Sequence, residues 1–445
     1  MTPSEQRPEG VPSGATQSGE AQRDMWSWVE RSVWTERMLE ALEKGVKGGV
    51  WFSLIDKVYR PQTLHKGWLQ VKAKKGAAGV DHQDIGAFER ELEKNLEKLQ
   101  EEFRDGSYRP RPTRRVYIDK PGSKERRPLG IPAVRDRVAQ AALRMVIEPI
   151  FEQQFAAHSY GFRPKRGCKD ALRRVEGLLK EGYSWVVDVD LKGYFDSIPH
   201  DGLMGEIRKH IADGRVLGLI EGYLKQEIFE GLEHWSPQEG TPQGAVISPL
   251  LANIYLNPVD VEMAAAGHEM TRYADDIVVM CRSEEEGRRA LEQIRRLTES
   301  RGLTLHPEKT RLVDATMPGV GFDFLGYHFE CGTRWPREKS LKRFKETIRW
   351  KSRRSNGHSM EAIIGNLNGT LRGWFEYFKH SRKTTFLPID GWIRRRLRSI
   401  LRRRSKVRGM SRGWDNQRWP KRYFRDLGLF SLEEAHRALL QSSRG

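Results

Sequence analysis

The chain has 445 residues, 38% apolar and 9% aromatic, which excludes a disordered chain and leaves room for two to four domains with real cores. It holds no apolar run of about 18 residues and no apolar leader, so neither a membrane span nor export is expected. Three scattered cysteines, Cys168, Cys281 and Cys331, offer neither a disulfide framework nor a cysteine zinc site, and they fit a reduced compartment. The net charge is +18, and from Arg337 to Arg425 there are 27 Lys and Arg against 6 Asp and Glu, so the basicity sits in the C-terminal part. That is the pattern of a polyanion-binding module joined to a near-neutral body.

Residues 1–24, rich in Pro, Gly, Ser, Glu and Gln, read as a disordered tail. Trp26, Trp28, Trp34, Trp51 and Phe52 restore apolar content, so an N-terminal extension is expected over 25–110. Gly76 to Asp81 reads as a loop. Phe88, Leu92, Leu96, Leu99 and Phe103 recur every three or four residues and predict a helix that Asp105-Gly106 ends.

Arg114 to Pro132 predicts a hairpin turning at Lys120-Pro121-Gly122-Ser123 and crowded by Arg114, Arg115, Lys120, Lys124, Arg126 and Arg127. Such a cluster either meets a phosphate-rich ligand or is a solvated hairpin tip. Helices are expected from about Val134 to Phe155 and from about Lys169 to Lys180, separated by Ser159 to Pro164. Trp185 to Asp190 is a buried-type strand whose alternation puts Asp188 and Asp190 on one face. Two carboxylates there are costly to bury unpaired, which favours a metal or cation partner over a solvent-facing edge.

Gly240 to Pro249 reads as a loop feeding a helix from Leu250 to Leu256, a helix start that favours an anion. Met270 to Arg282 predicts a hairpin whose tight turn carries Asp275 and Asp276. Adjacent carboxylates repel and become useful when a divalent cation bridges them; the bland alternative is a solvated turn. A helix from about Glu284 to Arg301 follows, and Phe322 to Phe329 has strand character. Met360 to Phe378 carries a helical apolar stripe that reads mostly as core. From Trp392 to Arg404 a narrow stripe of Ile393, Leu397, Ile400 and Leu401 is surrounded by Arg394, Arg395, Arg396, Arg402, Arg403 and Arg404. Trp414, Trp419 and Tyr423 continue the mix of basic and aromatic residues, so this basic amphipathic helix suits nucleic acid better than a membrane.

Asp190 at a strand end and Asp275 with Asp276 on a hairpin tip form the carboxylate set that two-metal nucleotidyl transfer needs, with its cations roughly 3.5–4 Å apart. With these motifs in order, the chain resembles the group II intron-encoded reverse transcriptases of the bacterial maturase type. The resemblance rests on Gly76 to Asp81, Lys120 to Pro132, Ser159 to Pro164, Asp190 to Asp196, Gly240 to Gly244 and Tyr273 to Asp276. It continues through Pro307 to Thr310, Phe324 to Tyr327 and Leu371 to Phe378.

The resemblance implies an α+β right-hand polymerase: fingers and palm over 111–335, a helical thumb over 336–385, and a basic DNA-binding region over 386–445. It implies an RNA-dependent DNA polymerase that binds its intron RNA, assists splicing and mediates retrohoming, in the bacterial cytoplasm and without a membrane. Intron RNA template, DNA primer or target DNA, and dNTPs are the implied partners, with two Mg2+ ions (or Mn2+) as cofactors. Asp190, Asp275 and Asp276 correspond to the metal-binding triad, and Lys309 to a lysine that protonates the pyrophosphate leaving group. Phe195 corresponds to the residue that blocks a ribose 2′-hydroxyl. Lys120 and Arg127, with Arg126 as rival, correspond to triphosphate-holding residues, Gln243 and Gly244 to the loop at the nascent pair, and Phe324, Leu325, Gly326 and Tyr327 to a primer grip. Ala245 departs from the family's second glycine, and its methyl would narrow the pocket. The cysteines and length of a further endonuclease domain are not seen, so none is expected. Two alternatives stay open: a free-standing or host-adopted reverse transcriptase, and a splicing-only RNA-binding maturase.

Overall fold

A computed structural model of the chain describes residues 26–46, 48–119, 126–231, 233–406 and 413–442; the expected N-terminal tail and the Lys120 turn lie outside them. The first elements build a helical layer. Helix α1 (Pro61–Lys74) starts on a proline that suits the first helical turn, and it buries Leu64, Trp68 and Val71. The helix expected over Phe88 to Phe103 is two: Ile85–Arg90, capped by Asp84, and Leu92–Asp105, with Glu91 as the kink between them. Gly106, in the left-handed region at φ 81°, closes the second. Helix α2 (Val134–Glu152) is buried on nearly all sides, as a central helix must be. It ends three residues short of Phe155, and α1 lies close against it: a Cβ on Gly67 would stand 2.9 Å from the Val138 carbonyl oxygen.

The expected basic hairpin forms from β1 (Thr113–Asp119) and β2 (Arg126–Ile131), with Asp119 opposite Arg126 and Ile118 opposite Arg127. After helix α3 (Cys168–Lys180) comes β3 (Trp185–Asp190), and then β4 (Ile228–Glu230) and β5 (Glu233–Trp235) extend the hairpin into a four-stranded sheet ordered β2-β1-β4-β5. Helix α4 (Ser248–Ala265) leads into β6 (Glu269–Tyr273) and β7 (Asp276–Cys281), and helix α5 (Glu284–Glu299) into β8 (Arg311–Asp314). These strands form an antiparallel sheet ordered β6-β7-β3-β8.

Strand alternation divides this sheet cleanly. Val187, Val189, Ile277 and Val279 enter one core with α2, α4 and α5, while Val186, Val278 and Met280 enter another with Leu172, Val175 and Leu178 of α3. Both faces are covered, which is why the strands read as near-continuous apolar runs. Asp188 and Asp190 share the face of Val186, at the end the second core leaves open.

Phe322 to Phe329 is not one strand but a hairpin, β9 (Phe322–Phe324) and β10 (Tyr327–Glu330), extended by β11 (Thr333–Pro336). The break falls at Leu325-Gly326, both at positive φ (47° and 85°), the geometry a two-residue hairpin loop demands. Beyond it lie helices α6 (Glu338–Lys351), α7 (Met360–Phe378) and α8 (Phe386–Arg404) and three short helices. One core runs from Phe344 to Leu432 and passes straight through the boundary expected at 385, just as the first core joins Trp26 to Leu305 across 110. The layers are those of fingers, palm and helical thumb in an α+β right-hand polymerase. No helix among the described residues is long and apolar enough to cross a membrane.

Candidate active site

The sheet brings the predicted carboxylates together. Asp190, the last residue of β3, lies directly opposite Asp276, the first of β7. Tyr273 pairs with Asp276 across the hairpin, which leaves Ala274 (φ 59°) and Asp275 as its two-residue turn. Asp188, Asp190, Asp275 and Asp276 line an open cleft of about 500 Å³ together with Lys309 and Arg311. Lys309 Nζ stands 3.3 and 3.4 Å from the two Asp190 carboxylate oxygens. The cation expected beside Asp188 is the Arg311 guanidinium, whose Nε donates to it at 3.4 Å.

The electrostatics are those of a carboxylate cluster short of positive charge. Burial pushes Asp276 up to about 7; Asp188 and Asp275 add to the rise, while the Leu325 amide and Arg337 oppose it. Burial also raises Asp188, to about 6, against the pull of Arg311. Asp275 is raised by burial and by Asp190, with Arg127 and Arg272 opposing. A divalent cation would relieve this repulsion.

The residues that hold the turn in place escaped the sequence reading. Arg272 is fully buried and donates from Nε to both carboxylate oxygens of Asp260 (2.7 and 2.9 Å), and from Nη1 to the Asn253 side chain (2.8 Å) and the Ala274 carbonyl (3.0 Å). The backbone of 158–160 runs alongside, Tyr160 donating to the Arg272 carbonyl and the Arg272 amide to His158. Gly161 lies so close beneath the turn that a Cβ there would fall 2.2 Å from the Ala274 nitrogen. The sequence signal was slight: Arg272 lies in a short strand of mixed polarity, Glu269–Tyr273, and only its burial shows that its charge must find a buried partner.

The β2-β1-β4-β5 sheet and the loops beside it carry further expected residues. Arg126 turns back to Asp119 at 3.2 Å, whereas the charge of Arg127 opposes the rise of the Asp275 carboxyl. Gln243 donates from its side chain to Asp196 at 2.8 Å, and its carbonyl accepts the Gly130 amide at 2.6 Å. Gly244 (φ 104°) has no room for a side chain, since a Cβ would come within 2.5 Å of the Gly130 carbonyl oxygen. Ala245 is buried at 5% exposure, so its methyl sits in packing and not in the cavity of about 270 Å³ in front of Gln243. Phe195 is half-buried, edge-on to Tyr194, and its carbonyl accepts the Thr241 amide at the start of the same loop. Lys120 lies outside the described residues.

Two expectations change character. Phe324 and Tyr327 are buried, and within the expected primer grip only the Leu325-Gly326 turn is partly exposed, its Leu325 amide donating to Asp276 at 3.4 Å. Of the six helix arginines, Arg396 binds the Ser352 hydroxyl and carbonyl, Arg402 pairs with Asp415 at 3.0 Å, and Arg404 reaches the carbonyls of Asn356 and His358. Arg394 is half-buried, and Arg395 and Arg403 stand in solvent.

Comparison with known proteins identifies the family. Residues 118–329 match the family described as reverse transcriptase (RNA-dependent DNA polymerase), and residues 341–423 match the maturase-specific domain of group II introns. The chain therefore belongs to the group II intron reverse transcriptase/maturase family. It is 39% identical over 203 residues to the group II intron-encoded protein LtrA of Lactococcus lactis, covering 45% of this chain and 33% of that one. It is 40% identical over 213 residues to protein YkfC of Escherichia coli, covering 46% and 56%. The chain thus spans between a third and little more than half of these curated relatives. Among solved structures, a partial Cas6-RT-Cas1–Cas2 complex is similar at 22% identity and a TM-score of 0.36 (56% of this chain, 41% of that one). Telomerase from Candida albicans is similar at 13% and 0.41 (66% and 59%). Both likenesses are too distant to bear on function.

Proposed function

We propose that this protein is an RNA-dependent DNA polymerase that also binds the RNA of a group II intron, assists its splicing and mediates retrohoming. The observation that carries the reading is the facing pair Asp190 and Asp276 with Asp275 in the adjoining turn, all opening on one cleft beside Lys309. The working division is fingers and palm over 111–335, thumb over 336–385 and a basic DNA-binding region over 386–445.

Two Mg2+ ions fit the donor set. All three candidates are hard oxygen ligands, and burial and mutual repulsion raise two of them. Among the described residues no three such side chains form a ready cage, so waters and substrate phosphates would have to complete the shell of each ion. When bound, such ions activate the primer 3′-hydroxyl and stabilise charge on the transferred phosphate.

The chain's own residues do the rest. Asp190, Asp275 and Asp276 hold the ions. Arg127 approaches this cluster from the fingers and, with Lys120, holds the triphosphate. Gln243 and Gly244 form a rigid floor for the nascent pair because the Gly130 backbone locks them. Phe195 closes the space a ribose 2′-hydroxyl would need. Lys309 holds a proton at Nζ beside Asp190, where it can pass to the departing pyrophosphate. The Leu325-Gly326 tip meets the primer end.

Replacing Asp275 and Asp276 together by Ala tests this assignment. Complementary-DNA synthesis falls roughly a thousandfold or more, while affinity for RNA stays close to wild type. Full extension by the double variant on an RNA template would refute it.

A further inference from the structure

We propose that Tyr377, on thumb helix α7, is a positioning residue that orients the carboxylate of Asp276 through the Leu325-Gly326 turn. This rests on the polymerase reading above and adds a part that the motif residues do not contain.

The turn carries backbone strain. Leu325 holds φ 47°, a region that costs a side-chain-bearing residue roughly 1–2 kcal/mol, so its neighbours must fix it there. Both carbonyls of the turn are tied to the thumb side. Tyr377 Oη donates to the Leu325 carbonyl at 2.7 Å, and Ser340 Oγ and the Arg337 amide both donate to the Gly326 carbonyl at 3.0 Å. Tyr327 Oη returns a bond to the Tyr377 carbonyl at 2.6 Å, so hairpin and helix clasp each other reciprocally. On its other side the same turn reaches the catalytic carboxylate, the Leu325 amide donating to Asp276 Oδ2 at 3.4 Å. That bond is long for N–H···O, as catalytic bonds often are before substrate closes the site.

A rotation of Leu325 would therefore break the Tyr377 bond and swing its amide off Asp276 in one movement. Tyr377 thus reaches the ion-holding carboxylate through the backbone of a single residue, Leu325. Cys168, the first residue of α3, neighbours both Tyr377 and Tyr273, and Tyr273 is the hairpin partner of Asp276. Burial, with Cys168 beside it, pushes the Tyr377 phenol well up, so it remains a protonated donor.

The test is Tyr377→Phe, which removes one hydroxyl and keeps the ring packed against Tyr327 and Phe378. In the metal-free protein, amide exchange at the Leu325-Gly326 turn is expected to rise. In primer extension on an RNA template, kcat is expected to fall roughly three- to tenfold, the worth of one neutral hydrogen bond. The Mg2+ concentration for half-maximal rate rises, and KM for primer-template stays within about twofold. A purely structural role would lower melting temperature and leave kcat per folded molecule and the Mg2+ requirement unchanged; that result overturns the proposal. If Tyr377→Phe does not fold, Ser340→Ala decides, with the same pattern at smaller size expected and wild-type behaviour overturning it. Wild-type protein that extends no primer would sink the polymerase reading itself, whereas active wild type with unaffected variants sinks only the positioning role.

Discussion

The palm hairpin and the basic helix α8 were marked by equally plain sequence signals, and the structure treats them differently. At the hairpin, every acid the sequence singled out reaches the cleft, because β pairing fixes which residues face one another: Asp190 must meet Asp276 once β3 and β7 align. On α8, half of the marked arginines bind the protein itself: Arg396 holds Ser352 and Arg402 holds Asp415 from half-buried positions, and the exposed Arg404 reaches the carbonyls of Asn356 and His358. A strand's alternation places a charge to within one side chain's width. A helix with a narrow apolar stripe leaves the flanking charges free to cap neighbouring helix ends, which is chemistry that composition does not reveal.

This contrast can be broken or sharpened by mutation, and the largest effect belongs to the support beneath the palm turn. Asp260→Ala leaves the Arg272 charge buried and unpaired, and should cost about 3–5 kcal/mol of stability; a melting temperature close to wild type would show that Arg272 does not brace the turn. Next comes Arg402→Ala, which takes the Arg402 guanidinium away from the mostly buried Asp415 and should lower stability by about 1–3 kcal/mol, read by urea unfolding. Its nucleic-acid affinity per folded molecule should stay nearly unchanged, whereas a direct phosphate contact would weaken with no loss of stability.

A milder change is expected at the exposed arginines. Arg395→Ala with Arg403→Ala should leave unfolding untouched and lower the slope of log affinity against log salt by roughly 1.5–2. An unchanged slope would remove α8 from the nucleic-acid interface. The smallest shift in overall rate, and the most specific one, concerns sugar choice. Phe195→Ala should incorporate ribonucleotides on the order of ten times more readily relative to dNTPs while leaving the melting curve nearly in place; unaltered discrimination would argue that Phe195 is packing alone.

Much of the fold was legible because its signals were local and periodic: the strand at Trp185, the hairpins at Arg114 and Met270, and the stripe of α7. The site was legible where chemistry-bearing residues sat inside such elements. What was missed depended on tertiary closeness. Gly161 reads as an ordinary turn glycine until the Ala274-Asp275 turn is seen lying on it. Arg272 reads as one more hairpin charge until Asp260, twelve residues earlier, is found against it. Phe322 to Phe329 reads as one strand because Leu325 is a residue that rarely takes positive φ, so the turn gives no warning. Apolar packing runs across both the expected boundary at 110 and the one at 385 that the resemblance implies, because neither falls between separate cores.

The central claim is that one cleft, built around Asp190, Asp275 and Asp276, copies RNA into DNA. The most direct measurement is extension of a DNA primer annealed to an RNA template by the purified wild-type protein, with dNTPs and Mg2+, before and after chelation. The account predicts full-length complementary DNA that disappears with chelator, returns when Mg2+ is restored, and is not formed from ribonucleotides alone. Protein that folds and binds the RNA yet never extends the primer, at any Mg2+ or Mn2+ concentration, would contradict it and leave an RNA-binding maturase in its place.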